Sequence, residues 1–190
     1  MLRPGCRALA DRGITPNQLT LLACIISVVA GIALACTHTD SRSFLFLPAV
    51  LFIRVVLNAI SNMLAREFAM KSKLGVILNE LTDVISDAAL YLPFALLPET
   101  LPFVVVLVVL LSALSELTGV VAQTIGASRR YDGPMGKSYR TLAFGILALL
   151  LGFEVPILPW LSMVWTALIG LLCLTIYRRA NRALLEAGNF

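Results

Sequence analysis

The sequence predicts an all-α integral membrane protein, built as a single six-helix domain over residues 1–190. Two observations lead to this fold class. Hydrophobic residues make up 59% of the chain and charged residues only 14%, well below the roughly 25% that is usual in soluble domains. Apolar stretches also recur along the whole chain, and at about 1.5 Å per helical residue they can cross a ~30 Å hydrocarbon layer. A soluble domain with one core is therefore excluded.

The six predicted spans follow one another with short connections. They cover residues 18–36, 44–64, 75–97, 101–125, 141–157 and 159–177. Prolines in "LPETLP" and "VPILPW" predict turns between spans three and four and between spans five and six. The first twelve residues, which combine arginines with a short apolar segment, predict a short helix on the membrane surface.

Positive charge alternates between the connections. Basic residues precede span one, lie between spans two and three and between spans four and five, and follow span six, whereas the other three connections contain Arg42 alone. Cytoplasmic loops are enriched in Lys and Arg, so both termini are predicted to be cytoplasmic. The C-terminal "YRRANR" is interpreted as part of this charge pattern, and no nucleic-acid partner is expected.

The N-terminal segment has an alternative interpretation as a secretory signal, because three arginines precede an apolar run that ends in "ALAC". The run is longer than a usual signal core, and five further spans follow it. We therefore interpret this segment as the first membrane span.

Polar residues interrupt the apolar pattern around the connection between spans two and three. At helical spacing they form two stripes, Asn58, Ser61, Asn62 and Ala65 on span two and Gly75, Asn79, Glu80, Asp83 and Asp87 on span three. Ser and Asn side chains can also have a purely structural role, as hydrogen-bonding contacts between membrane helices. This alternative stays open for Ser61 and Asn62. Carboxylates within a membrane segment instead predict a wet cavity that binds a divalent cation and an anionic head group.

The spacing of Ala65-Arg66, Gly75 and Asp83 resembles the motif of the CDP-alcohol phosphotransferase family. That motif reads Asp-x-x-Asp-Gly-x-x-Ala-Arg, eight residues, then Gly-x-x-x-Asp-x-x-x-Asp. "GITPNQLT" at 13–20 is similar to the family's entry into its first span, and "GPMGKSYR" at 133–140 is similar to a segment of some bacterial members. The resemblance covers nearly the whole chain.

The resemblance implies a phosphotransferase of phospholipid biosynthesis. Such enzymes move a phosphatidyl or related substituted phosphate group from a CDP-linked lipid donor to an alcohol acceptor and release CMP. It further implies Mg²⁺ or Mn²⁺ as cofactor, contact with membrane lipids, a homodimer, and a site that faces the cytoplasm from a bacterial inner membrane. By position in the motif, Asp83 is the expected catalytic base and metal ligand, and the donor-binding residues are expected to be Asn62, Ala65, Arg66, Gly75, Lys137 and Arg140.

The chain departs from the motif where the metal would bind. Asn58, Ser61 and Asn79 stand in the places of three aspartates, and Asn62 stands in the place of the motif glycine. One hypothesis is a rearranged metal site, in which Glu80 and Asp87 supply charge beside Asp83 while Asn58, Ser61 and Asn79 are neutral ligands. The other is a catalytically impaired relative that binds or stabilises a partner in lipid synthesis.

Two further features bear on function. Glu116 lies deep in span four with Ser112, Ser115 and Gln123. Three roles stay open for it: it lines the cavity, it takes part in a subunit contact, or it pairs with a partner that the sequence does not identify. A small transporter is a third functional class, for which polar residues near the bilayer midplane and inverted repeats are typical. Here the polar residues cluster at one border and no repeat is present, so transport is the least favoured class.

Overall fold

The computed structural model of the protein describes residues 3–98 and 100–188, and within these ranges it contains helices and turns but no strand. The α-helices are α1 (Arg3–Asp11), α2 (Pro16–Cys36), α3 (Leu47–Glu67), α4 (Lys73–Tyr91), α5 (Pro102–Val121), α6 (Lys137–Gly152) and α7 (Leu161–Glu186). Short 3-10 helices span Ser41–Phe46, Leu92–Leu96, Ala122–Ile125 and Leu158–Trp160. Met1 and Leu2 of the predicted surface helix, and Glu99 of the predicted "LPETLP" turn, lie outside the described residues.

Among the described residues, four helical segments are long and apolar enough to cross a membrane, and they correspond to predicted spans one, two, four and six. They are Pro16–Cys36, Ser41–Glu67, Pro102–Ile125 and Leu158–Glu186. Predicted spans three and five form α4 and α6, but α4 is rich in polar residues and α6 has only 16 residues. The all-helical membrane fold is therefore confirmed, while crossing by α4 and α6, the orientation of the termini and the surface position of α1 stay predictions.

The fifth predicted span is shifted toward the N-terminus in the structure. Residues 141–157 were expected, whereas α6 begins at Lys137, directly after the glycine-containing turn, and ends at Gly152. Glu154 adopts a left-handed backbone conformation with φ of 56°, which ends the helix at this point. Pro156 follows and cannot supply the amide that a continuing helix needs.

The N-termini of α2, α4 and α6 are explained by the local sequence. Thr15 and Gln18 form a capping box at the start of α2, with Gln18 N donating to Thr15 Oγ1 over 3.3 Å and Thr15 N donating to Gln18 Oε1 over 2.9 Å. Ser72 caps α4 by accepting a 2.9 Å hydrogen bond from Gly75 N. By contrast, Gly136 precedes α6 without any side-chain cap.

An aromatic cluster forms the dry part of the core. Tyr91 of α4 stacks on Phe144 of α6 with ring centroids 3.8 Å apart and planes 6° from parallel. Phe94 meets Phe44 and Phe144 edge-on at 5.0 and 5.2 Å. These rings are fully buried, and their packing fixes α4 against α6 one helical turn beyond Asp87.

The connection between α5 and α6 is fixed to the end of α7 by charged contacts. Arg130 donates to Asp132 Oδ2 over 2.7 Å and to Glu186 Oε2 over 2.5 Å, and Arg182 also pairs with Asp132. Burial acts to raise the pKa of Asp132, but the hydrogen bonds from Arg130 and Arg182 outweigh it and hold that pKa below its ordinary value. Gly133 has a φ of 111° and packs against Thr175 of α7. This contact holds the connection that leads into α6 against α7.

Candidate active site

A cavity of about 570 Å³ lies where α2, α4 and α6 begin and where α3 ends. Most of the residues predicted for the site line it, namely Asn58, Ser61, Asn62, Ala65, Arg66, Gly75, Asn79, Glu80, Asp83 and Lys137. Two predicted site residues, Asp87 and Arg140, do not line the cavity. The two polar stripes predicted from helical spacing therefore face one space.

One wall of the cavity is the contact between α2 and its neighbours. Ser61 Oγ donates to the carbonyl of Pro16 over 3.0 Å and lies 3.0 Å from Thr20 Oγ1, which joins α3 to α2. A Cβ atom on Gly75 would lie 2.6 Å from Asn17 Oδ1, so the missing side chain makes room for Asn17 of α2. The Ser61 hydroxyl thus makes the interhelical contact that the sequence left open as its alternative role.

Both carboxylates of the predicted metal site that reach the cavity are already engaged by basic side chains. Asp83 Oδ2 lies 2.5 Å from Lys137 Nζ, and Asp83 Oδ1 lies 3.4 Å both from Arg54 Nη2 and from Asn58 Nδ2. Glu80 forms an ion pair with Arg129. Each of these carboxylates therefore already has a basic partner at the cavity.

Beneath the cavity lies a buried layer of ion pairs. Asp87 accepts from Arg54 Nη1 over 2.5 Å through one oxygen and from Arg140 Nη2 over 3.2 Å through the other. Arg140 also donates to Glu116 Oε1 over 2.8 Å, which identifies the partner that Glu116 required. Arg54 and Arg140 are only 3% and 1% exposed, so each charge in this layer depends on its neighbours.

The donor set does not fit a divalent cation in this arrangement. Mg²⁺ and Mn²⁺ are held by carboxylates whose charge is free for the metal. Here every acidic side chain at the cavity or beneath it has a basic partner, and Asn58 and Asn79 offer only neutral oxygens. Within residues 3–98 and 100–188, no group of three or more His, Cys, Asp or Glu side chains is arranged to hold a metal.

Several basic residues of the site were not found from the sequence, among them Arg54, Arg129, Lys71 and Arg179. Arg54 is buried within α3 and contacts both Asp83 and Asp87. A signal for it was present, since Arg54 precedes Asn58 by four residues and therefore shares the face of the polar stripe. Arg129 was interpreted only as a loop charge, and its contact with Glu80 depends on a loop path that no periodicity encodes.

Comparison with known proteins identifies the family to which this chain belongs. The family model for CDP-alcohol phosphatidyltransferase matches residues 13–175. The inner membrane protein YnbA of Escherichia coli strain K12 is 42% identical over 188 residues, which is 99% of this chain and 93% of that protein.

Solved structures of Mycobacterium tuberculosis phosphatidylinositol phosphate synthase PgsA1 share the fold. The complex with manganese and citrate gives a TM-score of 0.77 at 20% identity, over 99% of this chain and 91% of that chain. The CDP-DAG-bound form gives a TM-score of 0.71 at 19% identity, over 97% and 92%. The resemblance drawn from Ala65-Arg66, Gly75 and Asp83 is confirmed, and the chain belongs to the CDP-alcohol phosphatidyltransferase family.

Proposed function

We propose that this protein is a membrane phosphotransferase of phospholipid biosynthesis, which moves a phosphatidyl or related substituted phosphate group from a CDP-linked lipid donor to an alcohol acceptor and releases CMP. The observation that carries the proposal is the position of Asp83, the motif aspartate that this chain retains, in the cavity wall beside Lys137. Membership of the family supports it, as does a solved structural neighbour with CDP-DAG bound.

Binding of the donor is assigned to the basic side of the cavity. Arg66 and Lys137 line it, and phosphate groups favour such charged donors. Gly136 directly precedes α6 at the cavity and provides no side-chain cap. The first amides of that helix therefore have no acceptor within the helix and can donate to a phosphate oxygen. The lipid chains of the donor extend into the bilayer while its nucleotide occupies the cavity.

Transfer needs a base for the acceptor hydroxyl. The hydroxyl oxygen attacks the phosphorus that carries the lipid, and the bond from this phosphorus to CMP breaks. CMP leaves with the bridging oxygen and its electron pair. The hydroxyl proton passes to the Asp83 carboxylate, which becomes free to accept it once Lys137 turns to a donor phosphate.

The proposal is tested by measuring CMP release from CDP-diacylglycerol with a panel of alcohols, using the full chain in detergent. We expect release by the wild type and a loss of about 100-fold or more in Asp83→Asn, the size typical for a missing base. Glu154→Gln is the control, because Glu154 pairs with Arg42 in an exposed contact away from the cavity. Absence of CMP release with every alcohol contradicts the proposal.

A second candidate function is that of a non-catalytic partner which binds or stabilises another protein of lipid synthesis. It is favoured by the neutral Asn58, Ser61 and Asn79 and by the basic partners of Glu80 and Asp83. CMP release that appears only in a triple variant with aspartate at these three positions supports this candidate. Wild-type release that is lost in Asp83→Asn opposes it.

We also propose that the cavity faces the cytoplasm from a bacterial inner membrane and that the chain forms a homodimer. Basic residues concentrate at the cavity end, and the Escherichia coli relative is named as an inner membrane protein. A cysteine placed at Lys71, in a variant whose native cysteines are replaced, should react with an impermeant maleimide in inside-out vesicles and not in spheroplasts. Mass measurement in detergent tests the dimer.

A further inference from the structure

We infer that the cavity binds the pyrophosphate of a CDP-linked ligand without a divalent cation, and that Lys137 and Arg129 supply the positive charge a metal would otherwise give. This inference rests on the proposed function for the identity of the ligand. It departs from the metal-dependent site that the family resemblance implied, because the donor set described above does not fit a metal.

The charge of the cavity wall favours an anion. Five basic side chains line the cavity against three acidic ones, which leaves an excess of two positive charges. A divalent cation would add to this excess, whereas a pyrophosphate with one negative charge on each phosphate would neutralise it. Asn58 and Asn79 contribute to the balance, because aspartates at these positions would attract a metal and repel a phosphate.

The four cations that pair with the acidic side chains of α4 divide into a fixed pair and an exchangeable pair. Arg54 and Arg140 are buried under the cavity, and each pairs with Asp87. Moving either arginine away from Asp87 would leave a buried charge without that partner. The side chains of Lys137 and Arg129 are 35% and 23% exposed and line the cavity itself. Only the second pair can exchange a carboxylate for a ligand phosphate at modest cost.

Two further donors belong to residues that line the cavity and have no acceptor there. The Nε atom of Arg129 is buried and has no hydrogen-bond partner, so this residue has a donor to offer while its Nη1 atom holds Glu80. The start of α6 lines the cavity through Gly136, Lys137 and Ser138, where the helix amides have no side-chain cap. A phosphate seated there would meet the Lys137 ammonium and the helix amides together.

The test measures ligand and metal binding separately on the full chain in detergent. Calorimetric binding of CDP-diacylglycerol in EDTA and in Mn²⁺ should give dissociation constants within about twofold of each other. Lys137→Ala and Arg129→Ala should each weaken binding in EDTA by about tenfold or more, which is a loss of about 1.4 kcal/mol. Arg42→Ala is the matched control, because its guanidinium pairs with Glu154 away from the cavity.

Electron paramagnetic resonance of Mn²⁺ provides a readout that does not depend on activity. The wild type should leave Mn²⁺ free at concentrations at which the Asn58→Asp, Ser61→Asp and Asn79→Asp triple variant binds it. Thermal melting and size-exclusion profiles of each variant show that it is folded. Wild-type Mn²⁺ binding comparable to that of the triple variant overturns the inference.

The outcomes separate this inference from the proposed function. Donor binding that requires Mn²⁺ overturns the inference and leaves the proposed donor intact. Donor binding in EDTA without CMP release supports the inference and contradicts the transfer function. Donor binding in neither condition contradicts both.

Discussion

Lys137 Nζ lies 2.5 Å from Asp83 Oδ2, so the first residue of α6 holds the retained motif aspartate of α4. The ion pair joins two segments that are distant in sequence, and both of its members line the cavity. Lys137 is the more exposed partner, which makes this contact one that a ligand can open.

We expect a measurable but modest coupling between Lys137 and Asp83. The double variant Lys137→Met with Asp83→Asn should be more stable than the sum of the single changes predicts, by about 1 kcal/mol, because either single change leaves a charge without its partner. Equilibrium unfolding of the four proteins in mixed micelles measures this. Strict additivity would show that the contact contributes nothing to stability.

Arg54 should be far more sensitive than an exposed arginine. Arg54→Leu leaves Asp87 with Arg140 alone and removes a contact of Asp83, so we expect a loss of about 3–5 kcal/mol in unfolding free energy. Arg42→Leu should leave the melting temperature unchanged, because its ion pair with Glu154 is exposed. A similar result for both variants would contradict the buried ion layer.

Gly133 should tolerate a methyl group less well than Gly126. Both glycines have positive φ, 111° and 82°, so alanine strains the backbone at each position. A Cβ atom at Gly133 would also lie within 2.6–2.9 Å of Thr175, whereas nothing lies within 4 Å at Gly126. We expect Gly133→Ala to lower the melting temperature by several degrees more than Gly126→Ala, measured side by side.

Asp132 should make a pH-dependent contribution to stability. Burial acts to raise its folded-state pKa, but the hydrogen bonds from Arg130 and Arg182 outweigh burial and lower that pKa. The stabilisation is therefore present above the unfolded-state pKa of about 3.9, and it is lost as the pH falls through the folded-state pKa. The melting temperatures of wild type and Asp132→Asn should therefore differ by a constant amount above about pH 5. The difference should shrink below about pH 4. A difference that is undiminished at pH 3 would contradict this origin.

The two polar stripes were predictable because helical spacing alone places side chains on a face. Asn58, Asn79 and Asp83 do line one cavity, as that spacing predicts. Asp87 continues the same stripe but lies one turn further along α4, under the cavity, where it pairs with Arg54 and Arg140. Helical spacing predicts which residues share a face of a helix, but it does not predict which of them line the cavity and which lie beneath it.

The remaining part of the site depended on tertiary contacts that leave no local pattern. Arg129 pairs with Glu80 from a loop whose neighbouring residues Ser128 and Arg130 are held by Glu186. The end of α6 at Gly152 depends on the left-handed conformation of Glu154, which a non-glycine residue rarely adopts. Apolar composition had favoured an end at residue 157 instead of Gly152.

The buried arginine of α3 also bears on how the chain enters the bilayer. Arg54 lies near the middle of the segment Ser41–Glu67, where a lone arginine opposes insertion by about 2.5–3.5 kcal/mol, and its carboxylate partners belong to α4. During synthesis, α3 therefore has no neutralising partner until α4 has emerged. We expect the two helices to integrate as a pair, so a nascent chain released after residue 72 should integrate α3 less completely than one released after residue 97.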